Sequence, residues 1–120
     1  MANRIIKQRD YLIAVLGETS TDAALTAFQT ELSEEVGRHR SRAVIVDVGL
    51  LDVIDSFTAR ILSQLSTTLR LRGAEPVIVG IRPDVAFAMV RLGLSLDGVL
   101  TALDLDAGLD LLDMRRGVGV

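Results

Sequence analysis

Cysteine is absent from this 120-residue chain, which excludes disulfides, thiol redox chemistry, cysteine nucleophiles and cysteine-ligated zinc or iron–sulfur sites together. A reducing cytosol fits that composition. Tryptophan is absent too, and aromatics make up 3% of residues against 49% apolar, so a core must be built from Leu, Val, Ile and Ala. That suits helices packed on a β-sheet. Charged residues are 24% with a net charge of −3, which lacks the basic excess of a nucleic-acid binder and the low hydrophobicity of a disordered chain. Long apolar runs are also missing. Met1 to Lys7 holds no stretch of signal-peptide length, and the most apolar segment, residues 43–54, is broken by Asp47 and Asp52. The chain is expected to be cytoplasmic, with no membrane and no nucleic acid among its partners.

What is present reads as one domain, long enough to bury about two-thirds of the surface of the unfolded chain. Ile5–Gln8 and Tyr11–Leu16 flank a charged Arg9-Asp10 pair and predict a hairpin. Ser20, Thr21 and Asp22 offer caps to a helix whose Leu25, Phe28, Leu32 and Val36 recur at spacings of three and four. Residues 44–47 read as a buried strand. A second helix follows Asp55-Ser56, with Phe57, Ile61, Leu65 and Leu69 four apart and Gly73 at its expected end. Pro76–Ile81 predicts a further strand, Pro83-Asp84 starts a helix ending at Gly93, and Val99-Leu100 is too short to assign. Asp104 and Asp106 offer caps to a last helix carrying Leu105, Leu109 and Leu112. The order β-β-α-β-α-β-α-(β)-α predicts right-handed crossovers onto a mostly parallel sheet with an antiparallel edge.

Ser56 stands out, because it falls at a helix N-terminus, where unpaired N–H groups and the macrodipole favour an added phosphate. The plain alternative is an N-cap serine. Asp47, Asp52 and Asp55 can be read as a Mg²⁺ cluster, but no lysine lies beyond Lys7 to complete such a site, and turn and capping carboxylates are the favoured reading. No metal is expected. Glycines 49, 73, 80 and 93 are scattered, without the Gly-rich run that cradles phosphates, so no nucleotide cofactor is expected either. His39 lies in Arg38-His39-Arg40-Ser41-Arg42 at the end of the first helix, where positive charge suits the dipole. A solvated helix end is the favoured reading there, with anion or nucleic-acid contact as the other.

Five blocks in order carry a resemblance: Val46-Asp47, Val53-Ile54-Asp55-Ser56-Phe57 with Ala59 and Leu62, Val79 to Ala86, Leu92-Gly93, and Thr101 to Leu105 with Gly108-Leu109. Over nearly its whole length the chain resembles the STAS domains of bacterial anti-sigma-factor antagonists, most closely the RsbS-like scaffold of the stressosome. The resemblance implies an α/β fold, a single SpoIIAA-like STAS domain over residues 1–114 with a flexible tail at 115–120, its mixed sheet packed by about four helices. It also implies that Ser56 is phosphorylated by a serine switch kinase, which is then released, and that a serine phosphatase resets it. Co-antagonist STAS paralogues in a large assembly are implied as further partners, and self-association is left open. In the single-partner antagonists the motif is Asp-Ser-Ser-Gly with the second serine modified, and those places here are Phe57 and Thr58. A phosphorylatable threonine of the paralogues falls on Ala88, so no second switch is expected there.

The expected function is therefore a non-enzymatic partner-switching antagonist. The expected partner-binding residues are Asp52, Asp55, Ser56, Thr58, Arg60 and Arg82, while Phe57, Ile61 and Leu65 are assigned to the core. Competing readings are a single-partner anti-anti-sigma factor and a small Mg²⁺-dependent α/β enzyme. One histidine and no paired acid and base around a recognisable pocket argue against the enzyme. The start at Met1 and the lack of a membrane segment weaken a third, a regulatory domain cut from an anion transporter.

Overall fold

A computed structural model describes residues 3–17, 21–94, 96 and 98–115. The strands are β1 (Arg4–Gln8), β2 (Tyr11–Val15), β3 (Ala43–Asp47), β4 (Glu75–Val79) and β5 (Leu100–Ala102). The helices are α1 (Asp22–His39), α2 (Ser56–Leu71), α3 (Pro83–Arg91) and α4 (Leu105–Arg115). One five-stranded sheet runs in the order β1-β2-β3-β4-β5, with β1 antiparallel to β2 and the rest parallel. The expected architecture holds, and the unassigned segment at Leu100 is the short edge strand.

Because each parallel strand is added on the same side of the last, right-handed crossovers place α1, α2 and α3 on one face. Leu12, Ala14, Val44, Val46 and Ile78 meet Leu25, Phe28, Leu32, Leu62, Leu65, Leu69, Val85 and Met89 there. The alternate residues Tyr11, Ile13, Ala43, Ile45, Val77 and Val79 form a second core under Leu112 of α4. Covered on both faces, β2 to β4 read as near-continuous apolar runs. Gly108 lets α4 come close, since a Cβ there would lie 2.8 Å from Cγ1 of Val79.

Several boundaries differ from expectation for local reasons. The strand expected over Pro76–Ile81 starts at Glu75 and stops at Val79, because Gly80 turns into the left-handed region at φ +77°. Pro76 is tolerated inside it. Glu75 N donates towards β3, to Arg42 O, so Pro76 turns its nitrogen to the β5 side, one residue before β5 pairing begins at Val77↔Leu100. Thr21 caps α1 by accepting from Ala24 N, and Asp104 accepts from Ala107 N at the start of α4, whereas Ser20 lies outside the described residues. Arg115 belongs to α4 and lies 3.6 Å from Glu75, so the expected tail does not begin there. Residues 116–120 lie outside the described ones. No helix among the described residues is long and apolar enough to cross a membrane.

Candidate functional site

The carboxyl ends of parallel strands are where open α/β sheets place ligands and partners. Here that edge carries the loop 48–55 after β3 and the loop 80–82 after β4, and both are held by short contacts. Asp47, at the end of β3, accepts from Gly49 N at 2.8 Å, and a Cβ on Gly80 would lie 3.2 Å from Cα of Gly49. The two loops therefore touch through backbone. Arg82 fastens them further, donating from Nε to Gly49 O at 3.0 Å and from Nη1 to Asp52 Oδ1 at 2.6 Å. Leu51 and Ile54 are buried beneath, while Val53 between them is exposed.

This frame fixes the start of α2. Asp55 has extended backbone and is the N-cap, its Oδ1 accepting from Thr58 N at 2.7 Å. The plain role considered for Ser56, capping its own helix, thus falls to Asp55, and Ser56 occupies the first helical position. The reason is chemical. Asp and Ser cap about equally well, but the Ile54-Asp55 register buries Ile54, Ala59 and Leu62 together. The backbone N–H of Thr58 and then its hydroxyl stabilise the Asp55 carboxylate, holding its pKa below the usual value. Ser56 is exposed, and its hydroxyl has no hydrogen-bond partner among the described residues.

Ser56 opens onto a groove of about 390 Å³ lined by Ala59, Arg60, Ser63, Gln64 and the turn Leu92–Leu94 after α3. Arg60 lies one helical turn on from Ser56, on the same face, so its guanidinium is within reach of a group built on the hydroxyl. Phe57 is half-buried against the core, and Ile61 and Leu65 are buried, as assigned. Thr58 is half-buried and committed to Asp55. Of the six expected contact residues, Asp55, Ser56, Thr58 and Arg60 share the first turns of α2, and Asp52 and Arg82 are paired with each other as a loop clasp. Asp47, Asp52 and Asp55 each serve a separate partner, and no group of three metal-ligating side chains converges among the described residues.

Sequence reasoning missed the groove's second wall and the exposed apolar side chains around this end. Leu92 is partly exposed, and Phe87 and Val90 of α3 project to solvent at 64% and 79%, as does Leu103 after β5. Their spacing carries no signal, because an exposed Phe87 and a buried Val85 look alike in an apolar helix.

A family profile described as "STAS domain" matches residues 5–106. The RsbT co-antagonist protein RsbRA of Bacillus subtilis (strain 168) is 33% identical over 98 residues, which is 82% of this chain and 35% of that protein. The chain thus spans about a third of that relative's length. Among solved structures, a variant of RsbS from Moorella thermoacetica with glutamate in place of a serine is 33% identical, with a TM-score of 0.87 over 97% of this chain and 98% of that one. A chain from the architecture of the stressosome, described as a signal integration and transduction hub, is 34% identical, with a TM-score of 0.86 over 94% and 98%.

Proposed function

The chain belongs to the STAS domain family, and from that premise we propose that it is a cytoplasmic, non-enzymatic partner-switching antagonist of a bacterial stress response. In this reading it sequesters a serine switch kinase while Ser56 is free and releases it when Ser56 is phosphorylated. A serine phosphatase reverses the step, and co-antagonist STAS paralogues join it in a large assembly. One observation carries the reading. Ser56 is presented at the first position of α2 with an exposed hydroxyl that has no hydrogen-bond partner among the described residues, because the neighbouring Asp55 does the capping.

A phosphate on Ser56 adds about −1.5 to −2 charges. The free N–H groups of the first turn and Arg60 attract it, while Asp55 repels it, so the domain itself should change little. The consequence falls on a docked partner, which must accommodate the new charge. A coupling of about 1 to 3 kcal/mol weakens binding about 5- to 150-fold, enough to switch partners.

The test is mass spectrometry after incubation with ATP and a candidate switch kinase, on the wild type and Ser56→Ala, followed by kinase pull-down and sizing with paralogues. The reading expects one phosphate, lost in Ser56→Ala, and kinase release only from the phosphorylated protein. A kinase active on another substrate that leaves this chain unmodified, or a phosphate that survives in Ser56→Ala, would overturn it. A one-to-one complex that excludes paralogues would instead identify a single-partner antagonist.

A further inference from the structure

The arginine-rich run at the end of α1 takes no part in the Ser56 end. It lies at the opposite edge of the sheet, where the loops entering β3 and β4 meet. There Gly37, Arg40, Ser41, Arg42, Arg72 and Gly73 line a cleft of about 330 Å³. Gly37 is what lets the cleft form as it does, since a Cβ there would collide with Nη2 of Arg72. The Arg72 side chain lies directly over the α1 backbone.

Three features of this cleft stand out. First, Arg40, Arg42 and Arg72 have no carboxylate partner among the described residues. Glu35 is held by Arg38 and His39 and Glu75 by Arg115, while Asp10 adjoins Arg42, its carbonyl accepting from Arg42 N at 3.0 Å. Second, Ser41 is 6% exposed, yet its hydroxyl has no hydrogen-bond partner among the described residues. Buried polar groups are nearly always paired, which marks this hydroxyl as an exception. Third, Arg40 holds a left-handed backbone at φ +49° where glycine or asparagine usually closes a helix. The side chain is kept at a position where dispensing with it would relieve strain. Against these stand the carbonyl ends of α1 and α2, each worth about half a negative charge, which three whole positive charges outweigh.

We propose that this cleft is a phosphate site, taking the phosphoryl group of inorganic phosphate or of a small phosphomonoester. Guanidinium forks match a tetrahedral oxyanion through paired N–H donors. The site is independent of Ser56 and of the partner reading above.

The experiment is a titration of the ¹⁵N-labelled protein, followed by amide chemical shifts, with inorganic phosphate and separately with adenosine monophosphate, against chloride at matched ionic strength. Saturating shifts confined to residues 37–42 and 72–73 are expected. Tighter binding of the nucleotide would assign the site to phosphomonoesters, and equal binding to free phosphate. Arg40→Gly relieves the left-handed backbone, so it should remain folded while binding weakens about five-fold. Arg72→Gln should weaken it as well. Shifts that chloride reproduces, shifts that spread without saturating, or unaltered affinity in Arg40→Gly and Arg72→Gln would each overturn the proposal.

Discussion

Replacing Asp55 with alanine removes the acceptor for Thr58 N at 2.7 Å and leaves the first turn of α2 uncapped. Loss of an N-cap carboxylate costs about 1 kcal/mol. For a domain of this size that lowers the melting temperature by about 4 °C. The whole domain should register it, because α2 supplies Ala59, Ile61, Leu62, Leu65 and Leu69 to the main core. Asparagine caps as well as aspartate, so Asp55→Asn should stay within a few tenths, about 0.3 kcal/mol, at neutral pH. The two variants then part in acid. The Asp55 pKa is depressed in the fold by Thr58, so its contribution is present above the unfolded value and is lost as pH falls through the folded one. The wild type should therefore lose stability below about pH 4 relative to Asp55→Asn, which carries no titrating group at this position. Urea unfolding followed by circular dichroism, at neutral pH and in acid, reads all three proteins. An alanine variant as stable as the wild type, or an asparagine variant as damaged as the alanine one at neutral pH, would refute the capping argument.

Gly108→Ala sets a gain in helix propensity against a Cβ placed 2.8 Å from the buried Val79, and the clash should win, with a net loss of about 1 kcal/mol in denaturant titration. Arg82→Ala breaks an exposed pair, so stability should fall by less than about 1 kcal/mol. Amide exchange in the loop 48–55 should nonetheless accelerate, since Gly49 and Asp52 lose their tie to the loop after β4.

The sheet and its helices were legible because their signals are local and periodic. Apolar runs of five residues, Leu25 to Val36 at helical spacing, and Pro83-Asp84 at a helix start each state one conformation. The N-cap was not resolved between Asp55 and Ser56, since two good capping residues stand side by side and only the burial of Ile54 decides between them. The Arg82–Asp52 clasp joins residues 30 apart, and nothing in either neighbourhood announces it. Ser41 was visible only as part of a basic run. The burial of its hydroxyl depends on how α1 and α2 end side by side, which is a property of packing rather than of pattern.

The placement of α4 bears on how the chain reaches its fold during synthesis. Three helices and the sheet can assemble from residues already made, in the order they emerge, because every strand pairs with its predecessor. The other side of that sheet, with Tyr11, Ile13, Ile45, Val77 and Val79, stays bare until residues 105–115 leave the ribosome. For that interval the nascent chain displays a sticky apolar wall. Held on the ribosome through an appended linker that clears the exit tunnel, a chain cut before Leu105 should be bound by chaperones, and one that includes Leu105 to Arg115 should be released by them.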